Sequence, residues 1–378
     1  MPERALWITR FDYRSPADIE RAIERSAELG FDTVLFQVRG NATVFYRSDI
    51  EPWAEQLDWK DPGFDPLDTA LRAAHGRGLR LHAWVNVMPG WWGASPPASG
   101  DHLYYKRPEW FWFDQHGDRQ ALCERFYVSL NPCLPAVRAY LTEVVDELVS
   151  RYPIDGLHLD YLRFPNEAPA TPEGSGLDYP RDPGTLARFR KATGTAPETD
   201  PEGWARWRAQ QVTELLAQIR RAAKRRSPDI IVSAAVGADP DRALEHHQDI
   251  HEWLARGLLD AVMPMNYTAN EQLFLERLAH WRSIAKGTHV VMGTMVAQGD
   301  TELRAAQVRE ASTQVGAVAV FAYGGLFDSS DDSIAEQDHA AREARFVRRK
   351  TLGPVLRAGI RADTGADTRA DTRADVKR

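Results

Sequence analysis

Short apolar runs recur along the chain, and between them lie longer stretches whose apolar residues fall at helical spacing. Runs over 5–9, 33–38, 79–85, 155–161, 230–236, 261–265, 290–292 and 317–322 are brief and bounded by turn residues, which predicts eight strands. The intervening periodicity predicts helices over 15–29, 65–78, 135–152, 204–226, 243–256, 271–285, 303–315 and 333–348. Ser15-Pro16 and Asp65-Pro66 carry helix-start chemistry, and Gly30 carries a stop.

Strand then helix, eight times over, predicts a parallel sheet joined by right-handed crossovers. The natural closure is an α/β fold of the (β/α)8 TIM-barrel type, which needs roughly 250 residues once long loops are set aside. A doubly wound sheet would want a Gly-rich phosphate turn after the first strand, and none is there. Two long stretches, 87–134 after strand three and 164–201 after strand four, break the rhythm. Both follow strand C-termini, the face on which barrel enzymes carry their chemistry. The reading is one domain over 1–350, then a disordered tail over 351–378 in which Ala-Asp-Thr repeats.

In the fourth strand, Leu157 and Leu159 alternate with His158 and Asp160, so the polar pair shares a face, with Asp160 nearer the C-terminal end. A charged group within an apolar strand needs a partner, a cavity or a function. The other strand ends contribute Arg10, Gln37, Arg39, Trp84, Asn86, Tyr161, Asn266, Tyr267 and Tyr323. Amides, guanidiniums and aromatics around one carboxylate suit a ligand with many hydroxyls. These strand ends hold no metal-ligating His/Cys/carboxylate set, and the chain has no cofactor motif and no Gly-x-Ser-x-Gly elbow.

The first long loop adds Trp91, Trp92 and the aromatic run 110–113. Flat rings fit the apolar faces of pyranoses. Trp91-Trp92, between Gly90 and Gly93, is the better candidate platform, whereas 110–113 serves equally well as the loop's own core.

Composition narrows the partners. The 378 residues are 43% hydrophobic and 27% charged, as in soluble globular proteins. A net charge of −7 offers no basic footprint for nucleic acid. No apolar run approaches a membrane span. Met1-Pro-Glu-Arg leads almost directly into apolar Ala5, too short for a signal peptide, which predicts a cytoplasmic protein. Cys123 and Cys133 lack metal spacing, and a bridge between them stays open.

The segments 30–39, 65–67, 75–86, 130–132, Val137-Arg138 and 155–165 resemble the glycosyl-hydrolase-like family 10, in order, over about Leu6 to Phe327. The resemblance implies a bacterial TIM barrel and a polysaccharide substrate, since some members cleave peptidoglycan strands stripped of their peptides. It also implies Arg39, Asn86, His158 and Asp160 as pocket residues, and it allows export. The same strand is similar, more distantly, to the chitinase signature Asp-Gly-x-Asp-x-Asp-x-Glu. Asp155, Gly156 and Asp160 match, His158 replaces the middle Asp, and Leu162 stands in place of the acid Glu. Residues 233–235 and 263–267 echo that group's fifth and sixth strands.

These residues predict a glycoside hydrolase in which Asp160 acts as nucleophile or stabilises an oxocarbenium-like transition state. His158 would hold Asp160 by a hydrogen bond, and Tyr267 would position substrate or carboxylate. Arg39 and Arg163 would grip carboxylates or hydroxyls, or else form rim ion pairs. Gln37, Trp84, Asn86, Trp91, Trp92, Tyr161, Asn266 and Tyr323 would line the sugar site. The second carboxyl is open among Glu51, Asp239 and Asp300, while Asp260 reads as structural, at the strand's wrong end. Two other classes stand beside this reading. One is a non-catalytic glycan-binding barrel. The other is an isomerase or aldolase gripping phosphate at Gly324-Gly325.

Overall fold

The structure is a computed structural model that describes residues 3–164, 177–285, 287–297, 299–328 and 339–361. Its barrel strands are β1 (Glu3–Ile8), β2 (Thr33–Arg39), β3 (Arg80–Asn86), β4 (Gly156–Asp160), β5 (Ile231–Val236), β6 (Ala261–Pro264), β7 (His289–Val290 and Met292–Met295) and β8 (Ala317–Phe321). Every pairing among them is parallel, and β8 pairs with β1. Strand β7 is interrupted at Val291, which still donates to the Val262 carbonyl at 2.9 Å, and a Met265–Gly293 bridge completes the ring. A Cβ on Gly293 would lie 2.5 Å from the Pro264 carbonyl, so only glycine lets the strands approach here. The predicted eight-stranded barrel is the fold.

Local chemistry fixes the helices. Ser15 and Asp18 form a capping box, Pro16 opens α1 (Pro16–Leu29), and Gly30, at φ +106°, ends it. Asp65 accepts the Leu67 and Asp68 amides ahead of α2 (Pro66–His75), which stops short of Gly78. Helix α3 (Pro135–Arg151) leads into β4. The helix read over 243–256 is two pieces, Arg242–His246 and Ile250–Ala255, because His247 is left-handed and Asp249 caps a new start. The stretch 164–201, read as loop, holds a helix at Pro183–Thr193, with Asp182 accepting the Thr185 amide. The last described helix, His339–Arg361, runs past position 350 and buries Leu352 and Leu356. The disordered tail expected from 351 is therefore corrected for 351–361; 362–378, and 333–338 of the predicted last helix, lie outside the described residues.

Two cores result. The larger fills the space between barrel and helices. The smaller fills the barrel with Ala5, Trp7, Leu35, Trp84, Ala261, Met263, Val291, Ala317 and Ala319, and the alanines make room for two indoles. The loop after β3 folds into an antiparallel hairpin, Pro89–Gly93 with Cys123–Ser129. Both cysteines are free thiols. Among the described residues no helix is long and apolar enough to cross a membrane.

Candidate active site

Strand β4 stacks Gly156, His158 and Asp160 on its inward face, from floor to mouth. A Cβ on Gly156 would meet the His82 ring at 2.5 Å, so glycine admits that imidazole to the barrel floor. Above it His158 is fully buried between Trp7 and Ser233. The Trp7 indole only donates, so His158 Nε2 accepts it at 3.1 Å, and Nδ1–H faces Ser233 Oγ at 3.0 Å. Burial pushes the imidazole pKa down to about 3. Both ring nitrogens are occupied in the interior, so the expected His158–Asp160 hydrogen bond is corrected: His158 is a core histidine.

Asp160 closes the strand one layer higher, in register with Asn86, and its carbonyl accepts the Val87 amide at 2.8 Å. Its Oδ1 accepts the Tyr161 amide at 2.6 Å and Arg163 Nη1 at 2.9 Å. Among the described residues no donor is recorded on Oδ2. Tyr161 has φ +50°, a left-handed conformation that disfavours a bulky residue by about 1–2 kcal/mol. Such conformations concentrate at functional sites. That turn brings the amide back onto Asp160.

Aromatic rings surround this carboxylate. The Arg163 guanidinium lies 4.4 Å from the Tyr161 ring centroid, and Tyr127 meets Tyr161 edge-on at 5.0 Å. Arg10 Nη2 donates to Tyr127 Oη at 3.2 Å, and Gln37 Oε1 accepts the Arg10 amide at 3.0 Å. Tyr267 stacks on Phe321 at 5.6 Å. Burial first, then the negative Asp160, pushes the Tyr267 phenol well above its ordinary pKa, and Tyr161 rises for the same reasons. Both are neutral donors beside the carboxylate. Tyr127 comes from the hairpin and was not singled out in the sequence, because contacts carried by a long loop leave no periodic signal.

Other expected ligands are turned away. Arg39 is fully buried, with Nε and Nη2 on Glu51 at 2.7 and 2.6 Å and Nη1 on the Asn86 and Val87 carbonyls. Tyr140 Oη also donates to Glu51 at 2.7 Å. Neither Arg39 as a substrate grip nor Glu51 as a second carboxyl is free to act. Asn266 is buried on the Phe274 carbonyl and Arg277, behind the barrel wall. Tyr323 stacks on Phe327, and its hydroxyl faces Arg25 of α1. Asp300 caps Thr301–Gln314, and Asp239 accepts the Asp241 and Arg242 amides in the loop after β5. Asp260 pairs with Arg220 and Lys224.

Trp84 and Asn86 are buried in the barrel, where Trp84 Nε1 and Asn86 Oδ1 have no recorded partner among the described residues. The tryptophan pair divides. Trp91 is buried, stacked with Trp59 and bonded to the Ser95 carbonyl, whereas Trp92 is 39% exposed. Phe111 and Trp112 are core residues of the loop.

One further carboxyl, Asp12, follows β1. Its Oδ2 accepts the Thr9 amide and hydroxyl at 2.7 and 2.8 Å, and burial raises its pKa to about 6. Its recorded neighbours include Thr9, Tyr13, Tyr323, Gly324 and Arg345.

The pattern of a family described as Glycosyl hydrolase-like 10 matches residues 2–311. Glycosyl hydrolase DigH of Escherichia coli K12 is 29% identical over 276 residues, covering 65% of this chain and 56% of DigH. Glycosyl hydrolase YngK of Bacillus subtilis is 24% identical over 297 residues, covering 70% of this chain and 54% of YngK. The chain thus spans about half the length of these curated relatives. The glycoside hydrolase domain of PgaB (BpsB) from Bordetella bronchiseptica superposes with a TM-score of 0.65 at 16% identity, over 92% of this chain and 99% of that domain. At that identity the likeness is one of fold.

Proposed function

The chain belongs to the glycosyl hydrolase-like 10 family, and from that premise we propose that it hydrolyses O-glycosidic bonds of a polysaccharide, with peptidoglycan glycan strands as the substrate class. The observation that carries this reading is Asp160, at the C-terminal end of β4, held through one oxygen by the Tyr161 amide and Arg163. An ion-paired carboxylate with no donor recorded on its other oxygen among the described residues suits a nucleophile, or an anion facing an oxocarbenium-like centre. Tyr267 and Tyr161 supply neutral hydroxyls for sugar oxygens, and Trp92 on the hairpin supplies an exposed ring for a pyranose face. Arg163 adds a positive charge suited to the lactyl carboxylate of muramic acid.

A second reading, a barrel that binds glycan without cutting it, is favoured by two observations. Leu162 is buried where the chitinase-like signature would carry its acid, and Glu51, Asp239 and Asp300 are committed elsewhere. Incubation with peptide-free peptidoglycan strands and with chito-oligosaccharides, followed by mass spectrometry, separates the two. Fragments support the hydrolase. Retention of intact strands supports the binder.

A further inference from the structure

Three guanidiniums stand at strand ends, on Arg10 after β1, Arg39 at the end of β2 and Arg163 after β4. Two of them face carboxylates of the chain, Arg39 on Glu51 at 2.6 Å and Arg163 on Asp160 at 2.9 Å. Arg10 is only 2% exposed, yet among the described residues no carboxylate is recorded within ion-pair reach of it. Its side chain has one recorded hydrogen bond there, from Nη2 to Tyr127 Oη at 3.2 Å, and Nε is buried without a partner. Most donors of this guanidinium are thus unused at a position where burial ordinarily demands pairing.

The chain holds this group in place beside the candidate active centre. Gln37 Oε1 accepts the Arg10 amide at 3.0 Å. A Cβ on Gly40 would meet Arg10 Nη1 at 2.8 Å and Cζ at 2.9 Å, so glycine leaves room for the guanidinium. Arg10 Cζ lies 4.6 Å from the Phe11 ring centroid and 6.0 Å from that of Tyr127. Tyr127 in turn meets Tyr161 edge-on at 5.0 Å, and the Tyr161 amide is on Asp160. Tyr127 is also the cross-strand partner of exposed Trp92, so their side chains share one face of the hairpin. A buried cation without a counter-charge therefore sits one tyrosine away from both the Asp160 turn and the Trp92 ring.

Building on the reading of this mouth as a glycan site, we propose that Arg10 binds the carboxylate of an acidic sugar whose ring lies against Trp92, and so selects anionic over neutral glycans. A carboxylate supplies what the chain does not, a counter-charge and a pair of acceptor oxygens matched to a planar fork. Sugar hydroxyls alone leave the charge uncompensated. The lactyl group of muramic acid and the carboxyl of a uronic acid both have this chemistry. The sequence does not separate Arg10 from Arg39 and Arg163, because all three stand at strand ends and only the fold decides which of them meets a carboxylate.

Calorimetry on the full chain tests this with peptide-free peptidoglycan oligosaccharides and with oligogalacturonates, each as the free acid and with its carboxyls converted to methylamides. The wild type is expected to lose about 10–100-fold in affinity when the preferred acid is converted, the worth of hydrogen bonds to a charged group. Loss on the peptidoglycan pair identifies the lactyl carboxylate. Loss on the galacturonate pair alone identifies a uronate, which supports the anion site and retires peptidoglycan as the substrate class. Arg10→Gln is expected to bind acid and methylamide forms alike, and Arg10→Lys to recover part of the preference. No carboxylate of the described chain relies on Arg10, so Arg10→Gln strands no buried charge, and thermal unfolding verifies its fold. The methylamide comparison on the wild type needs no variant. Equal binding of acid and methylamide forms by the wild type, or a preference that survives Arg10→Gln, overturns the proposal and leaves the glycan reading standing. Failure of every oligosaccharide to bind overturns both.

Discussion

His158 and Asp160 sit two positions apart on one strand face, yet one layer of the barrel separates their chemistry. The lower layer is dry and closed, so its imidazole takes both partners from the barrel wall. Ser233→Ala leaves the buried Nδ1–H of His158 unpaired, and stability is expected to fall by about 1–3 kcal/mol with KM for glycan unchanged. Urea unfolding and kinetics measure the two together. Loss of turnover without loss of stability would return His158 to the site. Asp12 offers a test by pH. Its carboxyl rises from 3.8 to about 6 on folding, so the native state binds the proton more tightly. That contribution is complete below pH 3.8 and lost as pH rises through 6. Relative to Asp12→Asn, the wild type is expected to gain up to about 3 kcal/mol between pH 7 and pH 4, read from unfolding at the two pH values.

Elements were the most legible level of this sequence, and individual contacts the least. Periodicity and caps located all eight barrel strands, because apolar spacing and Ser, Asp, Pro and Gly act locally. The 183–193 helix was passed over although Asp182-Pro183 carries the same start signal as Asp65-Pro66, since proline and glycine around it read as loop. Arg39 shows why the site was harder to read. Its place at a strand end fitted a substrate grip, but its partner Glu51 arrives from a loop whose path no pattern encodes. The pair joins the end of β2 to the Asn86 and Val87 carbonyls, and the Val87 amide in turn holds Asp160. Glu51→Gln is expected to cost about 3–5 kcal/mol by leaving Arg39 buried without its counter-charge. Replacing both residues with apolar ones should restore much of that loss in the same unfolding measurement. An additive loss would show that the two do not act as a pair.

The whole molecule closes through its last described helix. Leu352 and Leu356 are buried, and Arg4 Nη1 donates to the Leu356 carbonyl at 3.0 Å, joining this helix to the first strand. Leu356→Ala is expected to destabilise the barrel by about 2–5 kcal/mol, as a core leucine does, measured by thermal unfolding. A neutral outcome would make the helix an appendage. The barrel's interior is filled by side chains, so chemistry is confined to its mouth, and there the account rests on one carboxylate. The most direct measurement compares wild type and Asp160→Asn on peptide-free glycan strands, reading fragments by mass spectrometry and retained strands by co-sedimentation. Fragments are expected from the wild type and none from the variant, with comparable retention by both. Equal cleavage by the variant would contradict it.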